Sequence, residues 1–165
     1  MFTGTWNLLS VKKINILLVA LLIWANQQVL SQTTQSFDVV VYGATSAGIS
    51  SAIQSSRLGK TVVLIEPSNR IGGLTTGGLG QTDIGNKQAI GGISREFYQN
   101  VKSHYLQATS WTWQKRETYR DGGQTTSAAN EDAMWTFEPS AALKIYQDML
   151  SKEKNITLVY SQRLN

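Results

Sequence analysis

From residue 37 onward the spacing of apolar positions changes twice within about thirty residues. Phe37-Asp38-Val39-Val40-Val41-Tyr42 is a β-branched run of strand length that stops at Gly43, and it predicts a buried parallel strand over 37–42. Over 46–58 the small and apolar residues Ala47, Ile49, Ala52, Ile53 and Leu58 recur at helical spacing, and Gly59 follows as a stop. A second β-branched strand is predicted over 61–65. Strand, helix and strand then form one βαβ unit of the size a right-handed parallel crossover needs.

Beyond it the pattern is less regular. Residues 72–92 are so rich in glycine that no regular element is predicted there, and loops of that length are usually functional or disordered. A helix is predicted over 94–107, with Phe97, Val101 and Tyr105 on one face and Ser94 as its candidate N-cap. Residues 110–132 are polar and aromatic without a period and receive no element. Pro139 stands at a favoured first-turn position of a further helix whose face carries Ala142, Ile145, Tyr146, Met149 and Leu150. A third short strand is predicted over 156–160. The expected fold class is therefore α/β with a parallel sheet, and three strands amount to the N-terminal half of a doubly wound sheet.

Composition adds a compartment. Lys12 and Lys13 precede an apolar run from Ile14 to Ala25 that only Asn15 interrupts, the length of a signal-peptide core and short of the roughly 18 to 20 apolar residues a spanning helix needs. Val29 and Ser31 place small residues where a signal peptidase reads. Residues 1–31 are accordingly read as a signal peptide cleaved after Ser31, with an uncleaved anchor as the alternative, and 32–165 as the domain. Both readings imply an exported, periplasmic or extracellular protein, and cleavage would leave no stable membrane span. The chain has no cysteine, which excludes disulfides, thiolate metal ligands and a cysteine nucleophile. Outside the first 31 residues there are 13 basic and 11 acidic side chains, too mild a balance for a nucleic-acid footprint.

The chemistry concentrates between the first strand and helix. The turn Gly43-Ala44-Thr45-Ser46-Ala47-Gly48 joins a predicted strand to a predicted helix, the context in which a dinucleotide fingerprint carries meaning. Gly43 permits the tight turn, Gly48 the close packing of helix on sheet, and the free N–H groups of the helix start, at Ser46 and Ala47, attract a pyrophosphate. Thr45 stands where the middle glycine usually lies and could set its hydroxyl beside a phosphate. Eighteen residues after Gly48, at the end of the second strand, Glu66 holds the place of a carboxylate that bonds a ribose 2′-OH. A carboxylate there repels a 2′-phosphate, which disfavours NADP; read alone, Glu66 could equally be an exposed strand-end charge.

Arg70-Ile71-Gly72-Gly73 follows, and its spacing from Glu66 resembles the double-glycine signature of FAD-binding flavoproteins. By that likeness Arg70, Gly72 and Gly73 would meet the pyrophosphate from its other side. The full pattern continues with a second arginine and a hydroxyl residue where this chain has Leu74 and Gly77, which sets it apart from the amine-oxidase branch. More broadly, Gly72-Gly73-Leu74-Thr75-Thr76-Gly77-Gly78, the segment from Trp135 to Leu150 and the strand after it resemble a family of exported bacterial FAD-dependent oxidoreductases, over most of the chain from the first strand on. The resemblance implies a Rossmann-like FAD/NAD(P)-binding domain with FAD as cofactor. It places Thr75 and Thr76, within 75–80, beside the ribityl chain and flavin ring, and the backbone of Arg163 and Leu164 near the adenine. It also implies that the domain continues past Asn165 with a second FAD motif. The implied function is oxidoreduction in which the flavin accepts a hydride from an unidentified small molecule. Some relatives are named xanthan lyase, so the partner could be carbohydrate-related; a catalytically silent fragment and a lyase that keeps the flavin domain as a structural part are the alternatives.

The remaining features carry less. His104, the single histidine, falls on a predicted helix among polar residues and receives no role. Trp111, Trp113 and Trp135 could form a stacking platform for sugar rings or be ordinary buried tryptophans. Asn155-Ile156-Thr157 matches a glycosylation acceptor but leads straight into a strand and is read as chance. No zinc spacing, paired carboxylates or serine elbow appears, so no metal and no catalytic residue is assigned.

Overall fold

β-Branched valines at 39–41 and 62–63 favour extended backbone, and the small residues between them favour a helix that can lie close to a sheet. In the computed structural model, which describes residues 34–81, 85–120 and 131–164, these become β1 (Val39–Tyr42), α1 (Ser46–Arg57) and β2 (Val62–Glu66). Two more helices, α2 (Gly92–Tyr105) and α3 (Pro139–Ser151), precede β3 (Ile156–Tyr160). All belong to the unit Phe37–Asn165. The strands form one parallel sheet in the order β1-β2-β3, with Val39 opposite Val62 and Val62 opposite Ile156. The α/β class and the parallel three-strand arrangement are thus as the sequence implied.

That register, with alternation along each strand, puts Val39, Val41, Val62, Leu64, Ile156 and Leu158 on one face. These side chains pack with Ile49, Ile53, Phe97, Val101, Ile145 and Met149 of the three helices into one core. The opposite face carries Val40, Tyr42, Val63, Ile65, Thr157 and Val159. Val40 remains 63% exposed and Tyr42 46% exposed. The expectation of a strand buried on both faces is therefore corrected: among the described residues the helices cover one face, and β1 lies at a sheet edge.

Other departures are local. α2 begins two residues before the predicted start because Gly91 is its N-cap, which leaves Ser94 inside the first turn. Ala47 and Leu58, read as core positions of α1, are exposed, and Ser56 is buried instead. The glycine-dense stretch holds a wide helical turn at Thr75–Leu79 and a short 3-10 turn at Lys87–Ala89. Two further 3-10 turns, Ala108–Ser110 and Arg116–Thr118, occupy part of the segment that received no element. Trp135 lies fully buried, tilted against Tyr98 with the guanidinium of Arg95 5.3 Å from its ring centroid. Trp111 is half-buried and Trp113 exposed, so the three tryptophans share no platform. The signal-peptide reading, residues 1–31, lies outside the described residues, among which no helix is long and apolar enough to cross a membrane.

Candidate nucleotide-binding site

The site is assembled where β1 and β2 end on the same side of the sheet. Gly43 leaves β1 with φ +97° and its N–H bonds Ile65 O at 2.7 Å, so the turn is anchored to β2 as it opens. Thr45 is the N-cap of α1, and its hydroxyl accepts the N–H of Gly48 at 3.2 Å. Capping uses the Thr45 hydroxyl as an acceptor and leaves its O–H able to donate to a phosphate. The N–H of Ala47 stands at the second helical position with no carbonyl one turn behind it, and Ala47 is exposed. It is the donor best placed for an anion. Gly48 approaches the strand so closely that an added Cβ would lie 2.0 Å from Gly43 O; only glycine lets α1 start this near the sheet.

Glu66 ends β2 beside that turn. One carboxylate oxygen accepts the N–H of Ala44 at 2.8 Å, and the other accepts Ser68 N at 2.8 Å and Ser68 Oγ at 2.7 Å. Burial pushes the carboxyl pKa up, but the bonds from Ser68 and Ala44 outweigh it and hold the group below the usual carboxylate value. A carboxylate offers about four acceptor positions, and three are taken from within the chain. The fourth, and that of the displaceable Ser68 hydroxyl, suit the paired hydroxyls of a ribose. Glu66 is thus a fixed anion tied to the turn, not a free strand-end charge.

The segment 70–76 closes the far side. Gly72 N donates to Ala44 O at 2.6 Å, and Gly72 has φ +95° with an added Cβ only 2.1 Å from Thr76 Cγ2. The Thr76 hydroxyl donates to Ile71 O. Ser46 and Thr75 join their hydroxyls at 2.7 Å, with the buried Tyr146 among the groups around them. Burial raises the Tyr146 pKa, the largest influence on it. The Ser46–Thr75 bond fastens α1 to the glycine segment, and the side chains of Thr75 and Thr76 are buried in the protein. Gly73, exposed beside Thr45, stays open to a ligand through its backbone.

Arg70 Nε and one terminal nitrogen donate to Thr76 O at 3.0 and 2.5 Å, so the guanidinium clamps the 70–76 turn with part of its five N–H donors. β3 ends at Tyr160 as the sequence implied; beyond it Ser161 adopts φ +56°, Ser161 N bonds Ser68 O, and Gln162 N lies 3.4 Å from the backbone O of Glu66, so Arg163 and Leu164 belong to a connector. Reading the sequence missed Ala44, Ser68 and Tyr146. Ser68, two residues past an acidic strand end, is the one that local spacing signals; Tyr146 reads as core.

A parallel sheet whose first turn delivers helix-start amides next to a strand-end carboxylate defines a dinucleotide-binding domain. Residues 38–165 match the FAD dependent oxidoreductase family, and the chain belongs to it. FAD is accordingly its cofactor. Comparison with curated proteins gives no match. Among solved structures, the chain is similar to the 3-ketosteroid-Δ4-(5α)-dehydrogenase of Rhodococcus jostii RHA1, with 17% identity and TM-score 0.46, covering 82% of this chain and 40% of that one. THI4 of Thermovibrio ammonificans gives 10% identity and TM-score 0.44, covering 98% and 53%. Cyclohexanone monooxygenase gives 16% and 0.42, covering 76% and 20%. The chain spans at most about half the length of these proteins, and likenesses this distant transfer no substrate.

Proposed function

We propose that this chain supplies the ADP-binding part of an FAD-dependent oxidoreductase that acts on a small-molecule substrate. The observation that carries the reading is the 2.8 Å bond from Ala44 N to the Glu66 carboxylate, which ties a sugar-binding anion to the pyrophosphate turn. When bound, FAD supplies the redox chemistry by taking a hydride from a substrate carbon. The chain's own residues bind and orient. Ala47 N and the backbone at Gly73 face the diphosphate from two sides, and Glu66 accepts from the ribose hydroxyls. Arg70, Ser46, Thr75, Thr76 and Tyr146 act one layer back, fixing the glycine segment. We infer further that residues 1–31 direct export, which N-terminal sequencing of the mature protein checks: a start at residue 32 supports it, and a start at Met1 with retention in the cytoplasm contradicts it.

Calorimetric titration of the full chain with FAD tests the reading, with NADP as comparison. FAD is expected to bind, and Glu66→Gln to weaken it at least about tenfold, since a hydrogen bond to a charged group contributes about 1.5–3 kcal/mol. Equal affinity for NADP, or an unchanged affinity in Glu66→Gln, would overturn the assignment.

A further inference from the structure

Away from the turn, a cavity of about 320 Å³ opens between the end of α2 and the start of α3, within the roughly 300–1,000 Å³ range of small-molecule sites. Its wall is continuous with the glycine segment: Phe137 N donates to Gly80 O at 2.9 Å, and Thr136 pairs with Gln81 in an antiparallel bridge. Trp111 and Tyr119 line it with rings 5.8 Å apart and nearly perpendicular. The indole is held in place, because Trp111 Nε1 donates to Tyr105 O at 2.9 Å. Its polar atom is thereby spent inside the protein and its apolar face is what remains to offer.

Glu138 brings a carboxylate to the same cavity. It is the N-cap residue of α3, yet its side chain makes no capping bond. Instead the Tyr105 hydroxyl donates to Glu138 Oε2 at 3.2 Å while accepting Glu138 N at 2.9 Å. This two-bond clamp turns the carboxylate away from the helix start. Burial, the main cause, pushes the Tyr105 pKa up to about 12, so the phenol keeps its proton as a donor. Gln114 and Arg120 add two planar polar groups to the lining.

A purely apolar ligand would strip water from Glu138, Arg120 and Gln114 without replacing its bonds, at a cost in free energy. An anionic one would meet Glu138 as well as Arg120. A neutral ring with hydroxyls around its edge satisfies both requirements: its C–H face lies on an aromatic ring, and neighbouring hydroxyls pair two at a time with carboxylate, guanidinium or amide. We propose that the cavity between Trp111, Tyr119 and Glu138 binds a neutral hydroxylated six-membered ring, a monosaccharide unit or a cyclitol. The inference goes beyond the FAD reading and does not depend on it: the pocket is built without the nucleotide turn.

Saturation-transfer-difference NMR on the full chain tests it, with the methyl glycosides of glucose, galactose, mannose and xylose, with myo-inositol, and with cyclohexanecarboxylate and phenol as competitors of the wrong chemistry. At least one polyol is expected to receive saturation, strongest on the ring C–H atoms of one face. Trp111→Ala should remove the signal. Glu138→Gln, whose isosteric side chain retains the fold, should weaken binding about fivefold or more, with FAD affinity unchanged in both variants. Transfer to cyclohexanecarboxylate or phenol but to none of the polyols overturns the proposal, as does silence from all the polyols, or polyol binding that Glu138→Gln leaves intact. Loss of FAD binding in the unsubstituted protein would instead strike the nucleotide reading, so the two failures are separable. A signal from a glycoside but not from myo-inositol would mark the ring as a sugar, and the converse as a cyclitol.

Discussion

Gly48 is the position with least freedom. An alanine there needs space that Gly43 O already occupies at 2.0 Å, so either the helix start or the strand end must shift. Gly48→Ala is expected to destabilise the fold by about 1–3 kcal/mol, as overpacking typically does, and to abolish FAD loading, which thermal unfolding with and without FAD reads together. Glu66 sets a pH dependence. Its folded pKa lies below its ordinary 4.5, so its contribution to stability is present above that value and lost as pH falls through the lower folded one. The acid limb of the unfolding midpoint should flatten in Glu66→Gln. At this scale the sequence was informative where backbone alone does the work: Gly43, Gly48 and Gly72 sit where spacing put them. It was less so for side chains with competing partners. Thr45, Ser46, Thr75 and Arg70, read as facing the ligand, also bond partners inside the chain, and those bonds are invisible without coordinates.

At the scale of elements, the helices are joined by few polar ties. Arg57 at the end of α1 reaches Glu96 of α2 at 2.6 Å and Glu153, after α3, at 2.7 Å. Its side chain is 36% exposed, so solvent screening limits each pair to about 0–1 kcal/mol. Arg57→Met is expected to lower stability by about 1 kcal/mol, measured by urea unfolding, without altering FAD affinity. Tyr105 gives the opposite limb of the pH profile. Its raised pKa means a stabilisation fully present below the ordinary 10.0 and lost as pH rises through about 12. Tyr105→Phe, which also frees Glu138, should reduce that alkaline loss. Helix faces were legible because apolar spacing dictates them, as Ile145, Tyr146 and Met149 on α3 illustrate. The start of α2 was not, since a glycine N-cap at Gly91 has no side chain to announce it.

For the whole molecule, the parallel sheet follows from three β-branched runs separated by helices, and the family match over residues 38–165 agrees with it. What patterning could not reveal is which strand lies at the edge: Val40 and Val63 read alike in the sequence and stand opposite each other in register, yet on edge strand β1 Val40 is 63% exposed and on central strand β2 Val63 is 7% exposed. Strand order and helix placement are properties of the assembled chain. The aromatic cavity is of the same kind, since Tyr105, Trp111 and Glu138 are dispersed along the sequence and meet only in the fold.

The most direct measurement is the crystal structure of the FAD complex of the full-length protein. The account predicts both ribose hydroxyls within hydrogen-bonding distance of the Glu66 carboxylate and a pyrophosphate oxygen on Ala47 N. A ribose bound elsewhere, with Glu66 still held by Ala44 and Ser68 alone, would contradict it.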